Sequence, residues 1–267
     1  MRDASTRRLF FGAEVEAPWV DKEPAARLIP QESRHITLAF LGSVPPAQVI
    51  PHIDSMPPPP FSIGPAGWGK ELLFLPSQRS RVVALDVEWL SQGSEFLLYQ
   101  QLLSKWLEKL GYPADSRPFH PHISLARRPF DPEEWKEHFS PLPFFIKAIH
   151  LYQSHSHLEY KAVWDWPLLK PFEEIEHTAD IAFLVRGMDV KQLYNHAQLA
   201  LAFKFPSFLL YPISVQPSSL DEIVMALNQW ISLTDRLCGC PMKAVSFHGS
   251  IQSDVNGVLN WEMIIDV

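Results

Sequence analysis

Two short stretches carry residues able to move protons. His35-Ile36-Thr37-Leu38-Ala39-Phe40 and His122-Ile123-Ser124-Leu125-Ala126-Arg127 repeat one pattern 87 residues apart. An imidazole followed two residues later by a hydroxyl is common. The pattern His-x-Ser/Thr occurs at His35, His122, His138 and His248. Only the first two share the His-Ile-Ser/Thr-Leu-Ala setting of a strand, so the other two serve as controls for chance. In a strand, residues i and i+2 face the same side. His35 and Thr37 therefore point together, as do His122 and Ser124, while Ile36, Leu38, Ile123 and Leu125 turn to the core. Side by side, two such strands would line one groove with two imidazoles and two hydroxyls. That groove suits a phosphodiester. A neutral imidazole can take a proton from water, and a protonated one can give a proton to the leaving oxygen. The hydroxyls can donate to non-bridging oxygens as charge builds in the transition state. No spacing around the two motifs matches a zinc site, and this chemistry requires no cofactor.

The elements that must hold these residues read as α+β. Residues 7–15, 35–41, 61–63, 71–75, 81–89, 121–126, 144–153 and 159–166 have the apolar runs or alternation of strands. Residues 20–29 form a weak helix pattern cut by Pro24 and Pro30, and residues 49–56 a turn of helix. Residues 95–110 show apolar helical spacing and stop at Gly111. Further on, 180–186 reads as a strand, and 190–202 and 219–233 as helices. Residues 244–251 and 258–267 read as strands, joined as a hairpin through 254–257. The break falls near residues 168–171, which gives domains over 1–170 and 171–267.

Residues 5–168 resemble the two-histidine phosphoesterase superfamily, specifically the RNA 2′,3′-cyclic phosphodiesterases also called 2′–5′ RNA ligases. Beside the two motifs, the matching pieces are Arg8-Leu9-Phe10-Phe11-Gly12, Phe40-Leu41-Gly42 and Arg117-Pro118-Phe119-His120-Pro121. The resemblance implies a bilobal α+β fold with the motifs facing each other across a cleft. It also implies hydrolysis of RNA 2′,3′-cyclic phosphate ends to 2′-phosphate. By analogy His35 is the acid on the 3′ oxygen and His122 the base, the reverse order also being open. Thr37, Ser124 and Arg127 would hold the phosphate. Ser124 stands where Thr is usual and keeps the hydroxyl. Pro121 turns His120 away from the strand face, so His120 is read as a rim residue.

Residues 172–267 are similar to archease, the activator of the RNA-splicing ligase, on Glu176-His177-Thr178-Ala179-Asp180 and on both ends of Lys243–Val267. This implies a small α+β archease-like domain and, as partner, an RNA-splicing ligase. If the strand that starts at Asp180 and the strand that ends at Asp266 are neighbours, those carboxylates and the terminal carboxylate of Val267 would offer three oxygens to a calcium-like divalent cation. The residues alone leave open a strand-end hydrogen bond for Asp180 and a solvated end for Asp266. This half departs from archease by its short length and by Asn228-Gln229-Trp230, where an acidic signature is usual. His177 reads as structural and Cys238-Gly239-Cys240 as a loop.

Composition limits the remaining functions. The 267 residues are 46% hydrophobic and 20% charged, with net charge −7, which suits a globular chain. Residues 171–267 carry 5 basic and 11 acidic residues, unlike a general nucleic-acid binder. An RNA end would be held by a few local cations. No apolar run approaches the ~18 residues of a membrane span. The charged start lacks the apolar stretch of a signal peptide, and two cysteines two residues apart suit a reducing compartment. A cytoplasmic monomer acting on RNA with cyclic-phosphate ends, away from membranes, is expected. Two alternatives are a non-catalytic factor presenting such ends to the ligase, and a phosphodiesterase for another cyclic or ADP-ribose-type phosphate.

Overall fold

The computed structural model describes residues 8–112, 117–178, 180–247 and 249–267. It opens with β1 (Arg8–Glu16). Leu9, Phe11 and Ala13 are fully buried on one face; Phe10, Gly12 and Glu14 take the other. Residues 17–34 form no α-helix, in contrast to the helix pattern over 20–29. Pro18, Pro24 and Pro30 punctuate the stretch. Arg34, 1% exposed, bonds Glu23 and the Ile29 carbonyl and lies over the Trp19 ring. Within this stretch β2 (Arg27–Leu28) pairs with Arg127 and Ala126.

The first motif opens β3 (His35–Ser43). A 3-10 segment, Ile50–Ser55, follows. Residues 61–63 make no strand, only a bridge from Ile63 to Leu169. The strand there is β4 (Ala66–Gly69), whose Ala-Gly-Trp-Gly sequence gives little strand signal. Gly67 is required because a Cβ would lie 2.6 Å from the Glu88 carbonyl oxygen. β5 (Leu72–Leu75) follows. The single strand expected over 81–89 divides at Val87 into β6 (Val82–Asp86) and β7 (Glu88–Ser91). β6 pairs with β5, whereas β7 pairs with β4.

α1 (Gly93–Lys109) buries Phe96, Tyr99, Leu103, Trp106 and Leu107. It shares its core with Ile36, Leu38, Ile123 and Leu125. Gly111, at φ +86°, ends it. The second motif opens β8 (His122–Arg127). The short α2 (Pro132–His138) is capped by Asp131, and His138 is its last residue, bonded to the Glu134 carbonyl. That His-x-Ser copy is thus on no strand, and the His248 copy lies outside the described residues. β9 (Leu142–Ser154) and β10 (Tyr160–Pro167) close the unit. Among the described residues the sheet has ten strands in the order β5-β6-β8-β3-β1-β9-β4-β7, with β2 on β8 and β10 on β9.

β10 ends at Pro167, and the second sheet begins with β11 (Phe172–Ile175) and β12 (Ile181–Gly187). α3 (Val190–Lys204) and α4 (Leu220–Cys238) follow, capped by Asp189 and Ser219. Cys238 is helical and Gly239, at φ +78°, is the helix stop, so Cys-Gly-Cys is a helix end rather than a free loop. β13 (Ala244–Val245), β14 (Gln252–Ser253) and β15 (Leu259–Asp266) complete the order β11-β12-β15-β13, with β14 on β15. Asn228 uses both halves of its amide on Val245, at 3.0 and 2.6 Å, which a carboxylate could not do. The two units share packing. Ala66, Trp68 and Phe145 of the first sheet lie in one apolar cluster with Phe183, Leu193 and Trp230. Fully buried His196 joins the Ser91 hydroxyl to the Arg186 carbonyl, at 3.0 and 2.6 Å. No described helix is long and apolar enough to cross a membrane.

Candidate functional site

The two motif strands meet in antiparallel fashion at one residue pair, Ile36 with Ile123. Both isoleucines are fully buried. Continuing that register one residue each way sets His35 across from Ser124 and Thr37 across from His122. Opposite residues of an antiparallel pair share a face, with Cβ atoms ~5 Å apart. All four side chains therefore face away from the isoleucines, each histidine beside the other motif's hydroxyl.

A bulge follows each hydroxyl. Gly12 pairs with Thr37 but Phe11 with Ala39, which leaves Leu38 extra. Ala84 pairs with Ser124 but Val83 with Ala126, which leaves Leu125 extra. An extra residue reverses the alternation beyond it. Strict alternation would put Ala126 in the cleft and Arg127 in the core. Instead Ala126 is fully buried and Arg127 lines the cleft with His35, Thr37 and Ser124. The same device brings Phe40 to the surface, 58% exposed, beside Thr37. The repeat thus ends in an aromatic ring in one copy and a cation in the other.

The histidines are held alike. His35 Nδ1 lies 2.7 Å from the Ser33 carbonyl oxygen, and His122 Nδ1 lies 2.9 Å from that of His120. In each neutral ring Nδ1–H donates to the carbonyl two residues back, which leaves Nε2 as the acceptor. Their surroundings differ. His35 is 7% exposed, among the rings of Phe10, Tyr160 and Tyr152 at 4.8, 4.9 and 5.3 Å. Gly12 makes room for this packing, since a Cβ there would stand 3.1 Å from Tyr152 and 3.2 Å from His35. Burial pushes His35 down to about 4, the Ser33 carbonyl opposes this, and Arg127 and His122 add to it. Burial also lowers His122, which the His120 carbonyl opposes, while the His120 ring and Arg127 add to the lowering. Both rings favour the neutral form until an anion enters the cleft.

The cleft has two adjoining hollows that share Thr37 and Phe40. One is lined by Arg8, Phe10, His35, Ser124, Arg127 and Tyr160. The other is lined by Gln100, Arg117, Phe119, His120 and His122. His120 is on the rim, 60% exposed, yet its ring stands beside that of His122, 6.3 Å between centroids and 27° between planes. Pro121 therefore does not separate the two rings. Sequence reasoning gave Phe10, Phe40, Tyr152, Tyr160 and Asp86 no place at the site. Their convergence depends on bulges and cross-strand neighbours, which leave no local signal.

In the second unit, Ile181 pairs with Ile265, and the next step of that register sets Asp180 across from Asp266. Asp180 stands 3.6 Å from His177 Nδ1. The Asp266 carboxylate accepts from Ser246 Oγ at 3.3 Å, and the Lys243 ammonium donates to the Val267 oxygen. Among the described residues no three or more His, Cys, Asp or Glu side chains gather as a metal cage. Of the three expected donors, the Val267 oxygen is taken up by the Lys243 ammonium and the Asp266 carboxylate by Ser246, and we derive no step through a metal ion.

No family model matches the chain. Over 165 residues it is 32% identical to an RNA 2′,3′-cyclic phosphodiesterase of Geobacillus stearothermophilus. The match covers 55% of this chain and 49% of the relative, so the chain spans about half the length of the curated relative it matches. Among solved structures it is similar to one described as a phosphoesterase, at 21% identity and TM-score 0.45, over 61% of this chain and 99% of that one. It is also similar to E. coli LigT complexed with 3′-AMP, at 20% identity and TM-score 0.45, over 61% and 98%.

Proposed function

We propose that residues 1–170 form a two-histidine phosphoesterase unit that opens 2′,3′-cyclic phosphate ends of RNA to 2′-phosphate. The observation that carries this is the Ile36–Ile123 register, which sets each motif histidine across from the other motif's hydroxyl. The curated relative, an RNA 2′,3′-cyclic phosphodiesterase, supports the same substrate class. The cyclic phosphate carries one negative charge, which Arg127 and the Thr37 and Ser124 hydroxyls meet. That charge also favours an imidazolium in the cleft, so one ring of the pair holds a proton when substrate binds. The hollow beside His35 has the aromatic walls that suit a nucleoside. His122 faces the other hollow. We therefore assign His122 as base and His35 as acid. Water attacks phosphorus as His122 Nε2 takes its proton; the P–O3′ bond breaks as the proton on His35 Nε2 passes to O3′. The reaction needs no metal.

The test is a short RNA with a 2′,3′-cyclic phosphate end, given to the wild type, His35→Ala and His122→Ala. Each substitution should lower kcat by about 10²–10⁴. Tight binding of that RNA with no turnover in the wild type would favour a protein that presents such ends to a ligase. That outcome would suit the archease-like string in residues 176–180.

A further inference from the structure

One face of β1 carries the hollow beside His35 past the reacting groups. Gly12 pairs with Thr37, and two residues back Phe10 pairs with Phe40 on one side and Tyr152 on the other. Arg8 stands two residues further back on the same face. The next step of the β1–β9 register sets Arg8 across from Ser154, which in turn pairs with Tyr160. Arg8, Ser154 and Tyr160 line the hollow together with Phe10, Phe40 and Arg127. At ~3.4 Å per residue, the backbone of Arg8 starts about 14 Å along the strand from the Thr37 pair. Arg127 lies in the other direction, beyond Ser124 on β8. Along the strands, therefore, the two cations flank the motif residues and the Phe10–Phe40 pair of rings.

The lining of this hollow holds both arginines and no carboxylate, in a chain of net charge −7. Among the described residues neither arginine forms a salt bridge. Glu14, further along the same face, is taken up by Lys147 and His150. A cyclic phosphate brings one negative charge, and in the proposed reaction Arg127 meets it. The second cation is matched by a second anion. A guanidinium fork suits a phosphate, and the rings of Phe10 and Phe40 suit a base. With the base there and the 2′,3′ edge towards the motifs, the 5′ carbon of the same nucleoside faces Arg8. We infer that Arg8 binds the phosphodiester on the 5′ side of the terminal nucleoside and so selects the end of a chain over a lone cyclic nucleoside. This rests on the phosphodiesterase reading and adds to it a residue that sets specificity.

The experiment measures kcat/KM of the full chain, wild type and Arg8→Gln, on three substrates. These are adenosine 2′,3′-cyclic phosphate, the same nucleotide with a 5′-phosphate, and an adenylyl dinucleotide ending in a 2′,3′-cyclic phosphate. The wild type should prefer the dinucleotide to the bare cyclic nucleoside by about tenfold, the effect of one charged hydrogen-bonded contact. Arg8→Gln should remove most of that ratio, and the 5′-phosphorylated nucleotide, which lacks a second base, should show the same loss. An unchanged dinucleotide ratio in Arg8→Gln overturns the inference. So does an equal loss on all three substrates, which would put Arg8 on the cyclic phosphate itself. A loss confined to the 5′-phosphorylated nucleotide also overturns it, because the site would then read free nucleotides rather than chain ends. No turnover of any substrate by the wild type would remove the phosphodiesterase reading instead. The Arg8 contact would then be read by binding, from the affinity for the dinucleotide with a terminal 2′-phosphate relative to adenosine 2′-phosphate. It stands if Arg8→Gln lowers that ratio about tenfold and falls if the ratio is unchanged.

Discussion

Acid should weaken this protein in a window set by two buried histidines. His35 and His196 are 7% and 0% exposed, and burial lowers each from 6.5 to about 4. A histidine whose folded value lies below its unfolded value contributes stability above 6.5, and that contribution is lost as pH falls towards 4. In that interval the unfolded chain binds the extra proton. For a shift of this size the loss between pH 7 and pH 5 is about 2 kcal/mol for one ring and about 4 kcal/mol for the two. That is a large part of the ~5–15 kcal/mol typical of a folded domain. His196 offers the cleaner test because it lies apart from the cleft, between the Ser91 hydroxyl and the Arg186 carbonyl. Glutamine there can offer the same pair of partners, an N–H to Arg186 and an oxygen to Ser91, without titrating. Urea unfolding followed by tryptophan fluorescence at pH 7, 6 and 5 would give stability against pH for the wild type and His196→Gln. The variant should lose about 2 kcal/mol less than the wild type over that range. Equal slopes in the two proteins would refute the reasoning and show that His196 is protonated or solvated in the folded state.

Other expectations concern groups that support the cleft. Glu23→Ala leaves the Arg34 guanidinium, 1% exposed, without its carboxylate. It should cost about 3–5 kcal/mol in chemical denaturation, since the loop before His35 hangs on that pair. Gly12→Ala puts a methyl group 3.1–3.2 Å from the Tyr152 and His35 rings. Displacing His35 should lower kcat about tenfold with only a small change in Tm. Thr37→Ala and Ser124→Ala each remove one donor to the phosphate and should lower kcat by about 10²–10³, whereas Thr37→Ser, which keeps the hydroxyl, should retain most of the rate.

Much of the frame was legible because its signals are local. The alternation around His35 and His122, the apolar stripe of α1 and the Gly111 stop each need only a few neighbouring residues. Features that depend on distant partners were not legible. Gly67 is fixed by Glu88 and Phe144 from other strands, so Ala-Gly-Trp-Gly looks like a loop until they are in place. Val87 divides one apparent strand because β6 and β7 pair with different partners. The helix pattern over 20–29 loses to prolines and to a buried Arg34–Glu23 pair whose members are 11 residues apart. At the site the four motif residues could be assigned a common face from i, i+2 spacing alone. The bulges at Leu38 and Leu125 could not be foreseen. They bring Phe40 and Arg127 to the cleft, and simple alternation would have placed Ala126 there instead of Arg127.

The central claim is a two-histidine reaction at a cyclic phosphate, and its product tests it most directly. RNA ending in a 2′,3′-cyclic phosphate would be incubated with the protein in EDTA, and the phosphate position read by mass and by phosphatase sensitivity. The account predicts a 2′-phosphate, formed at the same rate with or without EDTA and lost in both His35→Ala and His122→Ala. A 3′-phosphate product, or turnover that survives both substitutions, would contradict it.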